Sequence, residues 1–252
     1  MSLDALIVDV DGTIAETEEA HRAAFNAAFR EFGEAWEWDR ALYGELLKVA
    51  GGRERIRHYL ERFHPERLKD PNIDTHVRAL HARKTELYSD EAARLPLRPG
   101  ITRLFSEALK AGARLAIATT TSRANVDALL GRTPDEPALD WFNVVATGEW
   151  VEHKKPHPEV FDKTLERLGT RPERCLALED SANGLEAAKA AGVPTLVTVN
   201  PYTEHETFRG AVAVLSHLGD PDTPMQVHQG ASHGRHLVDL DLLRQWMGQA
   251  TS

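Results

Sequence analysis

The chain has 252 residues, 42% hydrophobic and 27% charged, with 30 Lys and Arg against 39 Asp and Glu for a net charge of -9. That length suits one large α/β domain or two smaller ones. The acidic balance argues against a nucleic-acid binder, which neutralises phosphates with a basic face. No apolar run approaches the roughly 20 residues that cross a bilayer, and the one cysteine, Cys175, can form no internal disulfide.

The chain opens MSLDALIVDVDGT, without the basic flank and cleavage pattern of a signal peptide, so the expected location is the cytoplasm. A plastid-like stroma would require that a transit peptide had been removed. Residues 3–8 form an apolar run of strand character that stops at two carboxylates, Asp9 and Asp11, followed by Gly12. Residues 16–90 then hold no strand pattern and several amphipathic stretches, among them ETEEAHRAAFNAAFREFG, RIRHYLERF and IDTHVRALHARKTELY. LPLRPG at 95–100 reads as a return linker, punctuated by two prolines and a glycine.

From there short apolar runs at 114–118, 142–146, 175–178 and 194–199 alternate with helical segments at 101–110, 158–168 and 184–191. Continuous apolar strands alternating with helices predict a parallel sheet covered on both faces. The polar, Gly- and Pro-rich segment 219–234 is expected as a long loop, and LVDLDLLRQWM as a last amphipathic helix.

In open parallel sheets, sites form at the carboxyl ends of the strands. Asp9 and Asp11 end the first strand, Thr119 and the hydroxyls of Thr120, Thr121 and Ser122 end another, and Glu179 and Asp180 end a third. Lys154 and Lys155 stand in a loop before a helix. Brought together, four carboxylates would repel one another unless a cation sat among them. Oxygen donors without a Cys or His cluster favour Mg²⁺ over zinc. Each group alone has a plainer reading, as turn, helix cap or solvated surface. Their joint order at strand ends is what those readings handle badly. The other histidines, including the 228–236 stretch, show no metal-ligand spacing on one element and are expected as loop.

DVDGT, TTTS after LAIA, KKP and LEDS resemble the four ordered motifs of the haloacid-dehalogenase superfamily of phosphotransferases. The helical insertion after the first motif resembles its subgroup with a helical cap. DGTIAETEEAHRAAFNAAF, GGRERI and ALEDSANGLEAAKAAG are further similar to the CbbY family of sugar-bisphosphate phosphatases, whose chief substrate is xylulose 1,5-bisphosphate. The resemblance implies a Rossmann-like α/β core from residues 1–15 and 96–252, with a helical cap at 16–95. It implies Asp9 as nucleophile and Asp11 as acid then base. Thr119 and the following amides would take the phosphoryl oxygens, and Lys155 would counter transition-state charge.

Mg²⁺ would be held by Asp9, the main chain of Asp11, Glu179 and Asp180. In the cap, Gly51, Gly52, Arg53 and Arg55 would bind a second phosphate, with Glu18 and His21 facing the substrate. The expected partner is a small phosphorylated sugar, with no nucleic acid, no membrane and a monomeric chain. Two other enzyme readings stay open, a β-phosphoglucomutase-like mutase and a phosphoglycolate-type phosphatase. A phosphorylation-controlled receiver-like regulator is the non-enzyme alternative, and it leaves the helical insertion unexplained.

Overall fold

The structure is a computed structural model that describes residues 3–131 and 138–250. Among these residues seven strands form one sheet in the order β3-β2-β1-β4-β5-β6-β7. They are β1 (Ala5–Val8), β2 (Arg114–Ala118), β3 (Phe142–Ala146), β4 (Cys175–Glu179), β5 (Thr195–Thr198), β6 (Ala213–Leu215) and β7 (Val227–Gln229). The first six run parallel and β7 is antiparallel. Among the described residues nine α-helices accompany them: α1 (Glu18–Glu31), α2 (Arg40–Leu46), α3 (Gly52–Phe63), α4 (Ile73–Ala92), α5 (Ile101–Lys110), α6 (Arg123–Leu130), α7 (Glu159–Leu168), α8 (Ala182–Ala190) and α9 (Leu240–Ala250).

The interior strand β1, third in that order, is buried along its whole length. Leu6 and Val8 join the core under α5, α6 and α9, where Phe105, Leu129 and Trp246 pack. Ala5 and Ile7 face the opposite core with Phe161 of α7 and Ala187 of α8. A parallel strand covered on both faces has no solvent side, so ALIV runs apolar instead of alternating. β1 pairs with β2 and β4 in register, Val8 opposite both Ile117 and Leu178. The residues that follow these strands therefore emerge side by side.

Two strands depart from the sequence expectation. β6 is not among the expected strands, and β7, which holds His228, lies within the 219–234 segment expected as loop. Each has only three residues, too few to carry a periodicity. β7 is formed instead by its partner: Leu215 pairs with Val227, and the Gln226 carbonyl accepts from Ser216 N–H at 2.9 Å. No helix among the described residues is long and apolar enough to cross a membrane.

The helices α1 to α4 gather around an aromatic cluster of Phe25, Phe29, Trp36, Trp38, Tyr43 and Tyr59. Asn26 fixes its centre, donating to the Trp38 carbonyl (2.9 Å) and accepting from the Trp38 N–H (2.8 Å). The chain enters and leaves this helical block through paired linkers. Ala15 bridges Leu97, and Arg98 N–H donates to Ile14 O at 2.9 Å. The buried Arg98 guanidinium donates to carbonyls at the carboxyl end of the sheet, those of Gly12, Thr198, Val199 and Ser216.

Candidate active site

A cleft of about 630 Å³ lies between the carboxyl edge of the sheet and the helical block. Its floor starts where β1 ends. Val10 O accepts from both Thr13 N–H and Ile14 N–H, so the chain turns sharply after Asp9. Gly12 takes φ +77° at that turn, and a Cβ there would run into the Asp180 carboxylate and the Asn200 amide. Only glycine combines that backbone with so close an approach. The turn breaks strand alternation, so Asp9 and Asp11 both line the cleft.

Asp9, Glu179 and Asp180 bring carboxylate oxygens within 4.8 Å of one another. All three are buried. Lys155 stands among them, donating to Asp9 Oδ1 (2.6 Å), Glu179 Oε1 (2.6 Å) and the Ala118 carbonyl (2.7 Å). One cation does not balance three carboxylates. Burial and mutual repulsion push Asp180 well up and Glu179 up to about 7, while the two partner carboxylates outweigh burial and raise Lys155. Asp9 is likewise raised, chiefly by burial and against the pull of Lys155.

Such a trio of hard oxygen donors, short of positive charge, can hold a divalent metal ion. The ligands do not stand equally. Asp9 and Asp180 line the cleft, whereas Glu179 lies behind Lys155, its carboxylate packed on Gly184 of α8. The Asp11 side chain points away from the trio, and its Oδ1 accepts from Thr17 Oγ1 (2.8 Å) and His21 Nε2 (2.9 Å).

Opposite Asp9, β2 runs into Thr119, whose hydroxyl accepts from Thr121 N–H (3.2 Å). Ser122 caps α6, its Oγ accepting from Asn125 N–H, and Asn125 in turn donates to Thr121 Oγ1 (2.8 Å). All four hydroxyl residues, 119 to 122, line the cleft at a helix start, where backbone amides favour anions. One of those amides, Arg123 N–H, is already taken by the Glu149 carboxylate at 3.0 Å.

The wall above belongs to the helical block. Glu18, His21, Gly51, Gly52, Arg53 and Arg55 all line it. Their engagements differ. Arg53 is exposed and has no hydrogen bond or ion pair among the described residues. Arg55 is committed to bracing, donating to Leu46 O (3.2 Å), Val49 O (3.4 Å) and Tyr43 Oη (3.1 Å). Glu18 accepts from that same Tyr43 hydroxyl at 2.8 Å.

The structure adds Lys84, which sequence reasoning passed over. It is buried on α4, and its Nζ donates to His21 Nδ1 at 2.5 Å. With Nδ1 accepting, His21 carries its proton on Nε2 and donates to Asp11. Burial pushes Lys84 down to about 7. Burial, then Lys84, also lowers His21. Asp11 itself is held well below the usual range, because His21, Thr17 and Lys84 together outweigh its burial.

A signal for Lys84 existed: positions 73, 77, 80, 84 and 88 are buried at helical spacing, so a lysine falls in an apolar stripe. A second addition concerns His153, His157 and Glu159. They converge within 4.8 Å, two on the loop before α7 and the third on its first turn, although the sequence reading found no metal spacing among those histidines. Residues 153 and 157 sit on either side of a turn, which separation along the chain does not reveal.

The haloacid dehalogenase-like hydrolase family matches residues 3–192, and the chain belongs to that family as an enzyme, a phosphoric monoester hydrolase. Within it, the chain is 50% identical over 250 residues to Protein CbbY, plasmid, of Cupriavidus necator, covering 97% of this chain and 96% of the relative. It also matches the crystal structure of CbbY from Rhodobacter sphaeroides in complex with phosphate, with TM-score 0.78 and 45% identity, over 85% of this chain and 94% of that one. A mutant form of the same protein, solved in complex with xylulose-(1,5)bisphosphate, matches with TM-score 0.77 and 43% identity over the same shares.

Proposed function

We propose that this chain is a Mg²⁺-dependent phosphatase of a small sugar bisphosphate, foremost xylulose 1,5-bisphosphate, with residues 16–95 acting as a cap over the sheet. One observation carries the reading: a single cleft is lined by Asp9 and Asp180 of the acidic trio on the sheet side and by the unpaired Arg53 on the helical side. A ligand with phosphates at both ends suits such a cleft. The relative solved with xylulose-(1,5)bisphosphate supports the same substrate.

Asp9 is the nucleophile. Its carboxylate attacks phosphorus, the bond from phosphorus to the sugar oxygen breaks, and an aspartyl-phosphate forms. Thr119 and the amides of residues 120–122 bind the phosphoryl oxygens. Lys155 favours the ionised form of Asp9 against the effect of burial and offsets charge as the phosphoryl group transfers.

Asp11 protonates the departing sugar oxygen. His21 and Thr17 favour its ionised form, and it takes up a proton from solvent as the phosphate dianion binds and raises its affinity for one. It then takes a proton from the water that attacks the aspartyl-phosphate, which releases inorganic phosphate and restores Asp9. A Mg²⁺ ion on Asp9, Asp180, Glu179 and the Asp11 carbonyl would supply the positive charge that the trio lacks.

The test is Arg53→Ala, assayed on a pentulose bisphosphate and on the matching monophosphate. Loss of a charge-assisted contact costs about 1.5–3 kcal/mol, or about one to two decades in kcat/KM, on the bisphosphate alone. An equal loss on both substrates would overturn the distal-phosphate role.

A further inference from the structure

Arg53 is not the only cation on the upper wall of the cleft. Lys154, the neighbour of Lys155, reaches it from the sheet side, and Arg78 and Lys84 reach it from α4, beside the imidazole of His81. Lys154 is already engaged. Its Nζ donates to Glu54 Oε1 at 2.8 Å, joining the first turn of α3 to the loop before α7. The other oxygen, Glu54 Oε2, is buried without a hydrogen-bond partner among the described residues.

The surroundings are built around this pair. Gly51 adopts φ +96°, and a Cβ there would collide with both the Glu54 carboxylate and the Lys154 ammonium. Burial favours the neutral acid, but the Lys154 contact outweighs it and keeps Glu54 ionised below its usual value. The cation field reaches further, since burial together with Lys84, Arg53 and Lys154 pushes His81 down to about 4. A carboxylate with one oxygen idle, seated among cations at the mouth of a phosphate-binding cleft, has the shape of an occupant.

We propose that Glu54 is a resident stand-in for the substrate's distal anion: it occupies Lys154 in the empty cleft, and an incoming phosphate must displace it. This inference rests on the reading that a second phosphate binds beside the helical block. Physically, the stand-in keeps Lys154 neutralised while the cleft is empty and makes anion binding an exchange instead of a simple addition. A lone anion gains little from such an exchange. A phosphate fixed to a sugar whose other end sits on the acidic floor is delivered at high local concentration and wins it. Glu54 therefore determines specificity without touching the reacting atoms.

The experiment measures the affinity of inorganic sulfate for the Mg²⁺-loaded full chain by calorimetric titration. Four proteins are compared: the unaltered chain, Glu54→Gln, Lys154→Gln and the double variant. Removing the competing carboxylate while keeping its shape is expected to tighten sulfate binding about three- to fivefold. Lys154→Gln is expected to weaken it, and the double variant to match Lys154→Gln, because the stand-in has no effect without its cation. Unchanged or weaker sulfate binding in Glu54→Gln would overturn the proposal, as would a tightening that persists in the double variant. The substrate reading is judged separately, by kcat/KM of the unaltered chain on a sugar bisphosphate against its monophosphate. A tightening in Glu54→Gln with no bisphosphate preference would leave the stand-in intact and remove the substrate reading.

Discussion

Two lysines are buried in this molecule within one cleft, and they are pushed in opposite directions. Lys155 is gripped by two carboxylates and a carbonyl, all within 2.7 Å, and its proton is held more tightly than usual. Lys84 has an imidazole nitrogen at 2.5 Å and the faces of Phe25 and Tyr88 at 4.9 and 4.8 Å, and it is lowered to about 7. Desolvation acts on both. Direct anionic partners decide which way the balance falls. One lysine is thereby a permanent charge within the acidic floor, and the other is a charge that pH can remove.

The most severe way to break the comparison is Lys155→Met. It leaves Asp9 and Glu179 buried without their counter-ion, which costs about 3–5 kcal/mol of stability by urea denaturation. The cost should grow as pH rises past 7, because Glu179 ionises there beside Lys155, whereas without the lysine that lowers it the buried carboxyl must keep its proton. A stability change under about 1 kcal/mol at pH 8 would show that the acidic trio does not need this cation.

Lys84→Met is the mirror experiment. No carboxylate within hydrogen-bonding reach is stranded, so stability should change by less than about 1 kcal/mol while kcat/KM falls about tenfold or more. The pH profile gives the sharper readout. Burial lowers Lys84 from 10.5 to about 7, so its cation is present below that value and lost above it. In the unaltered chain kcat/KM is expected to decline as pH climbs through 7, and the variant should lack that limb. An identical alkaline limb in both proteins would assign it elsewhere.

The smallest effect concerns the floor and its metal. Glu179 is raised from 4.5 to about 7, so between those values the folded chain holds a proton that the unfolded chain has released. By linkage, this group makes the metal-free protein less stable as pH rises through that window. Mg²⁺ takes the proton's place, so its thermal stabilisation should grow from pH 5 to pH 8, reaching a few degrees at saturation. A Mg²⁺ shift independent of pH would contradict the charge shortage of the trio.

The two lysines also mark how much the sequence could reveal. Lys155 was legible because its neighbours form a short pattern, KKP, in the loop before a helix. The same holds for Asp9, Thr119 and Asp180, each the first or second residue past an apolar run. Parallel pairing with matched register then brings strand ends together without further information. Glu54 lies in an amphipathic helix rich in charge, where a paired ion looks like any other from its neighbours, and Lys84 shows only as a lysine within the apolar stripe of α4, which does not say what it faces. Their roles depend on how helices cross, which is set by side-chain packing far along the chain. The same limit hid β7, a strand whose hydrogen bonds come from a partner and not from its own alternation.

The bridge between Ala15 and Leu97 has a consequence for how such a chain can change over generations. The whole helical block leaves and rejoins the sheet at two residues that already touch. A deletion joining them, or an exchange for a block of another size, would keep the sheet's own connections and the Arg98 contacts to its strand ends. On the proposed function, the nucleophile, the phosphoryl site and the acidic floor stay with the sheet when the block is exchanged, while any new block must again supply the contacts to Asp11 that Thr17 and His21 now make.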